Sequence, residues 1–413
     1  MSEWQYNKLE SYLGNAISLG RGDIISKDDI NHYPGPYPIY SSSAHNNGKF
    51  GEFGKFMFDE ELITWSIDGG GSFFYRPKHK FSVTNVCGYM RILDKELDAQ
   101  FIYYCLSNQH KHLTFDYTTK AHPSVIKKLY SIPKIAYVRQ RKIAKILVNL
   151  DSTIEKTEAL IEKYQQVKAG LMHDLFTRGI TADGKLRPNQ EQAPELYQET
   201  AIGWIPKEWV SDKFGENIAV IDPNPSHRYP AEVNDGYPIC STENFSGENG
   251  FAFKKSKLVS ESTFQSQQNR CQFKENDVVF ARKGKLGLAR RYGTDKKVFS
   301  HTVVLMKPST NQVDANWLLW LSRSHWLLKA IDVTMNTNSG VPTLGVEFIK
   351  GITVPFPEIS EQKLINQSLD AISNKIEIEV NKREKLLKQK SGLMHDLLTG
   401  KVSVSLDEEN AHV

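Results

Sequence analysis

Gly170-Leu171-Met172-His173-Asp174-Leu175 recurs letter for letter as Gly392-Leu393-Met394-His395-Asp396-Leu397. The offset is 222 residues. Held without gaps, it aligns residues 132–178 with 354–400, and 16 of those 47 positions are identical. Among them are Pro133/Pro355, Gln140/Gln362, Ile143/Ile365, Leu147/Leu369, Ile154/Ile376 and Glu155/Glu377. Unrelated segments share only a few residues in such a window. The chain therefore carries a true duplication, and the duplication governs its architecture.

The repeated stretch reads as helix. Ile143, Leu147, Leu150, Ile154, Thr157, Ile161, Tyr164, Lys168, Leu171 and Leu175 alternate spacings of four and three. The second copy presents Ile365, Leu369, Ile372, Ile376, Glu379, Arg383, Leu386, Lys390, Leu393 and Leu397. This is a heptad seam with polar interruptions. A helix over 136–177 is about 63 Å long, and it cannot bury such a stripe alone. The other copy, packed antiparallel, is the expected partner, because both halves of the duplication are then used alike. Pairing between chains is the alternative.

The flanks echo each other more faintly. Glu3-Trp4 resembles Glu208-Trp209, and Tyr37-Pro38-Ile39 resembles Tyr237-Pro238-Ile239. Leu97-Asp98-Ala99-Gln100-Phe101 resembles Val313-Asp314-Ala315-Asn316-Trp317. The expected fold class is α+β: two globular α/β domains joined and separated by two long antiparallel helices, in a pseudo-twofold tandem repeat. The first globular block is assigned to 1–132 and its helical spacer to 133–179. A polar linker with Pro188 and Pro194 covers 180–203. The second block is 204–353, its spacer 354–400, and an acidic, disordered tail is expected at 401–413. Strands are expected around 62–65, 81–84, 277–280 and 302–306, with helices over 98–107 and 314–328.

Composition narrows the function. The chain has 413 residues, 52 basic against 48 acidic, and a formal charge of +4. That surplus neither demands nor excludes nucleic acid, so the distribution of charge decides. An apolar fraction of 39% supports packed cores. No apolar run, Trp317 to Leu321 included, comes near the roughly 20 residues a membrane helix needs. The polar start MSEWQYNKLE is no secretory signal. Cys87, Cys105, Cys240 and Cys271 are scattered, which points to reduced thiols in a cytoplasm and away from a zinc site or disulfide framework.

The usual catalytic signatures are missing. There is no Walker A loop, no H-E-x-x-H and no G-x-S-x-G. Asp222-Pro223-Asn224-Pro225 lacks both the aromatic ending and the upstream glycine turn of an amino-methyltransferase, and reads as a loop. His173 and Asp174 are adjacent on a helix, so they point in different directions.

Polar and basic turns are present in both globular blocks. Residues 281–297 hold Arg282, Lys283, Lys285, Arg290, Arg291, Lys296 and Lys297 against Asp295 alone. Basic residues interleaved with glycine suit a phosphate backbone, and arginine reads guanine. The first block offers Arg76, Lys78, His79 and Lys80, then Asn85. Its 41–49 loop carries Ser41, Ser42, His45, Asn46, Asn47 and Lys49, side chains suited to base edges; Thr242 and Asn244 occupy the matching place in the second block. Gly69, Gly70, Lys120, His122, His301, Asn336 and Asn338 complete the DNA-binding candidates. Any one of these is ordinarily a solvated loop. Their repetition at corresponding places shifts the reading toward DNA.

At this point the chain resembles a known family, the specificity (S) subunits of type I restriction-modification systems. The resemblance spans the block–helix–block–helix order and the stretch Gly203-Trp204-Ile205-Pro206-Lys207-Glu208-Trp209. It includes Ile132-Pro133, Pro355 and the Glu361-Gln362 pair ahead of each helix, and the closing phrase at each helix end, Lys168 to Leu175 and Lys390 to Leu397. One departure is Arg139 where the second copy has Glu361. The resemblance implies that each globular block is a target recognition domain reading one half of a bipartite, interrupted DNA site. The helices then set the spacing and dock two methyltransferase (M) subunits through Leu171, Met172, His173, Asp174, Leu393, Met394, His395 and Asp396. Restriction (R) subunits would join through M. The chain itself is then non-catalytic and cofactor-free, with AdoMet, ATP and Mg belonging to its partners in a bacterial or archaeal cytoplasm. Two rivals remain: an enzyme acting alone, and a coiled-coil DNA-binding regulator without a modification partner.

Overall fold

The computed structural model describes residues 4–43, 45–68, 70–113, 120–335 and 343–405. It divides into two compact units, residues 1–159 with 379–413, and residues 160–378. Each unit thus combines one globular block with a part of each long helix. Among the described residues, no helix is long and apolar enough to cross a membrane. All four cysteines are buried and unpaired.

The repeated stretches form helices Tyr137–Thr177 and Ile359–Thr399, 41 residues each. In the first unit Ile143 and Leu147 pack with Met394, Leu397 and Leu398, while Lys390 pairs with Asp151 at 2.5 Å. Later positions on one helix meet earlier positions on the other, so the segments run antiparallel. In the second unit Leu175 and Phe176 share a core with Ile365 and Leu369. None of the first helix's seam positions is exposed; in the second helix Leu393 is, at 37%, and Met394 takes the inward place.

The first globular block is built on a six-stranded sheet. Its strand order is Ile17–Arg21, Cys87–Ile92, Phe58–Ser66, Phe73–Val83, Tyr37–Tyr40 and Lys49–Phe53. Every pairing is antiparallel except Tyr37–Tyr40, which runs parallel to Phe73–Val83 with Tyr40 opposite Val83. Trp65, Phe73, Met90, Ile102 and Tyr130 fill one face.

The second block repeats this plan with one strand broken. Its four-stranded sheet runs Ile218–Ile221, Val303–Pro308, Val278–Ala281, Ala289–Arg291. Tyr237–Cys240 then pairs in parallel with Val298–Phe299. Ala289–Arg291 and Val298–Phe299 together occupy the place of the single strand Phe73–Val83. The faint Tyr-Pro-Ile echo is therefore a structural equivalence. So is Asp98/Asp314: each carboxylate caps the following helix, accepting from Phe101 N and from Trp317 N.

The 180–203 stretch connects the first long helix to the second block, yet it is tied down. Ile180, Arg187, Ala193 and Tyr197 are buried, and Tyr197–Thr200 pairs with Gly203–Pro206. Of the tail, the described part reaches Ser405, with Val404 against the core of the first unit.

Candidate nucleic-acid interface

In the first block the 41–49 loop leaves strand Tyr37–Tyr40 and returns as strand Lys49–Phe53. Ser41 N–H donates to Gly48 O and Gly48 N–H to His45 O, both at 2.9 Å. Thr84, just past the neighbouring parallel strand, donates its hydroxyl to Ser41 Oγ at 2.9 Å. His45, Asn46, Asn47 and Lys49 are exposed, and Ser41 and Ser42 half-buried. Asn85 lies next to Thr84 and its carbonyl is held by Arg21 at 2.7 Å. The structure thus brings these candidates to one place. Lys78 and Lys80 are exposed on the strand, while His79 is half-buried, bonded to Tyr40 Oη at 3.2 Å and stacked on Phe81.

Lys120 and His122 belong to a second group. Lys120 pairs with Asp68 at 3.0 Å, and between them Ala121 O receives Trp65 Nε1. Gly70 turns at a φ of 90°. Gly69, Asn336 and Asn338 lie outside the described residues. Arg76 corrects the expectation of a basic surface residue: it is 1% exposed, because its guanidinium is folded inward over the Tyr40 ring.

The second block requires a larger correction. The 281–297 stretch is not an open basic turn. Arg282 is buried, with Nη2 on Asp222 Oδ2 at 2.6 Å and Nε on His301 O at 2.9 Å. Arg290 is buried over the Phe245 ring and donates to the Gly247 and Ala289 carbonyls. Arg291 reaches Asp370 at 3.4 Å, and Lys297 is buried with Nζ on Asp295 O at 2.6 Å. These cations satisfy carbonyls and carboxylates of their own unit, as a charge taken out of water requires. Lys285 and Lys296 remain exposed and Lys283 half-buried.

Thr242 is also buried, donating its N–H to Thr302 Oγ1 at 3.2 Å. Asn244 is an organiser of its own loop: its amide holds Ser241 N, Ala252 O and Ser256 Oγ. His301 is half-buried, stacked on His227 with ring centroids 5.2 Å apart and edge-on to the exposed Tyr229. Burial first, then Lys283, pulls its pKa below the usual histidine value. The charge count gave no warning of the Asp222 anchor, or of the 227–229 segment beside it.

Two separate stretches, residues 1–166 and 222–388, match the model of the type I restriction modification DNA specificity domain. The chain belongs to this family. It is a type I specificity subunit with two recognition domains in tandem, and such subunits are the non-catalytic DNA-recognition part of their systems. It is similar to the type I restriction enzyme MjaVIII specificity subunit of Methanocaldococcus jannaschii, with 24% identity over 97% of this chain and 93% of that one. The MpnII specificity subunit of Mycoplasma pneumoniae matches at 28% over 45% of this chain and 50% of its own length. The crystal structure of a type I restriction-modification S subunit from M. genitalium shares the fold, with a TM-score of 0.63 at 18% identity over 98% and 97% of the two chains. The rival of a free-standing coiled-coil regulator is not supported.

In this specificity subunit the repeated helix ends divide their residues between core and surface. Met394 is 3% exposed, so it is a core residue and not a docking contact, which corrects its assignment. Leu171 and Met172 are half-buried against the second unit's core. His173, Leu393 and His395 are exposed. Asp174 pairs with Arg178 at 3.4 Å and Asp396 with Lys401 at 3.6 Å. Sequence reasoning missed the cluster of Lys168, Arg323 and Glu248 beside the first of these ends. Its members are distant in sequence, and no local motif joins them.

Proposed function

We propose that this chain directs a type I restriction-modification complex to a bipartite, interrupted DNA site. The tandem match of two specificity domains in one chain carries this reading. Two different readers, each on its own copy of the repeat, select an asymmetric pair of half-sites. The 41–49 loop with Asn85 serves the first half-site, and the turn carrying Lys283 and Lys285 serves the second. The long helices set the spacing. Two methyltransferase subunits dock near the repeated helix ends, since His173 and His395 stay exposed in both copies, and restriction subunits join through them. AdoMet, ATP and Mg are bound by those partners, in the cytoplasm of a bacterial or archaeal cell. The functional boundaries follow the repeat: 1–132, 133–179, 204–353 and 354–400, with 180–203 as connection.

Methylation-sensitive sequencing of host DNA, with and without the gene, tests the reading. A bipartite motif that loses its methylation on deletion is expected, and an unchanged methylation pattern overturns the proposal. Mass measurement of the purified complex tests the partner count. Saturation at one methyltransferase per chain overturns the two-copy arrangement.

A further inference from the structure

Asn46, Asn47 and Gly48 take φ values of 49°, 51° and 76°, three consecutive residues in the left-handed region. L-residues rarely enter that region, and never cheaply in series. A short exposed loop persists in such a conformation only where its surroundings over-determine it. Arg76 does so here. Its Nη2 donates to Asn47 O at 2.8 Å and its Nε to Thr64 Oγ1 at 3.0 Å. The guanidinium lies 3.6 Å from the Tyr40 ring centroid and 4.9 Å from that of Phe74. Tyr40 is the last residue of the strand that launches the loop. Gly48 sits so close that an added Cβ would meet Arg76 Nη2 at 3.1 Å.

The cost of this arrangement is visible. Arg76 is almost wholly buried, and among the described residues its Nη1 finds no hydrogen-bond partner. Burial lowers its pKa to about 10, so it stays charged at neutral pH. A buried cation with an unused donor is a poor way to stabilise a sheet. What it achieves is local. The backbone carbonyl of Asn47 turns down onto Arg76, while His45, Asn46 and Asn47 stay exposed. Two carboxamides side by side are the groups that pair with adenine edges in a major groove.

We propose that residues 45–48 form a pre-set base-reading turn of the first recognition domain, and that Arg76 is the positioning residue that holds it. This rests on the DNA-recognition reading above. Arg76 touches no DNA. It acts through Asn47, by removing the conformational freedom that the turn would otherwise lose on binding.

The experiment uses the full chain in its methyltransferase complex and duplexes carrying the methylated motif. Affinity is compared with duplexes scrambled in the first half-site only, or in the second only. Arg76→Lys keeps the charge but cannot hold Thr64 and Asn47 together while stacking on Tyr40. It is expected to lower first-half-site discrimination by about tenfold, with second-half-site discrimination and the salt slope unchanged. Should that variant unfold, Asn46→Gly with Asn47→Gly decides. It keeps the left-handed turn and the carbonyl, deletes both amides, and is expected to lose the same discrimination. Wild-type first-half-site discrimination in folded Arg76→Lys or in the double glycine variant, or an equal fall at both half-sites, overturns the proposal. A wild-type complex that prefers no bipartite sequence sinks the underlying DNA reading instead.

Discussion

Gln362 Oε1 accepts the backbone N–H of Asp314 at 2.8 Å, and Gln140, 222 residues earlier, accepts that of Asp98 at 3.0 Å. Each amide nitrogen then donates twice. Gln362 Nε2 reaches Gln312 O and Pro357 O, and Gln140 Nε2 reaches Glu96 O and Ile135 O. The repeated glutamine ties the start of each long helix to the cap of a recognition-domain helix. Both side chains are buried.

Gln362→Leu leaves one backbone donor and two carbonyls without their partner. Each buried unsatisfied group costs roughly 1–3 kcal/mol. Chemical denaturation should show a destabilisation of at least about 2 kcal/mol, and Gln140→Leu should behave alike. A change within about 0.5 kcal/mol, the usual surface value, would remove the clamp from the account.

Glu361 stands where the first copy has Arg139, and it forms a buried pair with Arg187 at 2.5 and 3.0 Å. The same carboxylate receives Trp209 Nε1 at 3.1 Å and Ile180 N at 2.8 Å. Glu361→Ala is expected to cost at least about 2 kcal/mol, because Trp209 Nε1 and Ile180 N lose their acceptor and Arg187 is left with the exposed Glu208. Replacing Arg187 by leucine or methionine as well should recover the part of that cost that comes from the guanidinium, in a double-mutant cycle. Equal destabilisation in the single and double variants would show that the pair itself is not the cause.

His325 is held neutral. Burial first, then the neighbouring His173, lowers its pKa from 6.5 to about 4. Between those values the unfolded chain binds the proton and the folded chain does not. Stability contributed by this group is therefore present above pH 6.5 and is lost as pH falls toward 4. Unfolding free energies across that window should slope less steeply in His325→Gln than in wild type. Parallel slopes would assign the pH response elsewhere.

Lys285 is exposed and Lys283 half-buried in the turn where Arg282 and, on the next strand, Arg290 are buried. Changing both lysines to alanine should flatten the salt dependence of DNA binding by roughly 0.9 in slope for each phosphate no longer neutralised. Arg290→Ala should instead lower the melting temperature. A salt slope that responds to Arg290 and ignores the lysines would reverse this assignment.

Exchanging residues 1–130 for the corresponding block of another specificity subunit should change one half-site of the methylated motif. Methylome sequencing reads both halves at once. A chimera whose two half-sites both changed would contradict independent reading.

A repeated motif and a heptad seam needed only the order of residues. The heptad seam placed the first long helix to within a residue and the 222-residue offset set the second by equivalence; burial of the stripe follows from spacing, and the antiparallel sense from using both copies alike. The 41–49 loop was legible too, as a run of hydrogen-bonding side chains. What the sequence could not decide was which charged side chains face inward. Arg76, Arg282 and Arg290 look like surface cations when only their order along the chain is known. Each is buried because partners from elsewhere in the chain arrive beside it: Asn47 O, Asp222 and Gly247 O. The Arg139/Glu361 difference likewise carried no meaning in the aligned repeats, and became a buried ion pair only when Arg187 folded back onto Glu361. Periodicity is local and survives in one dimension. The partner of a buried charge is set by the meeting of distant segments, and only the tertiary structure supplies that.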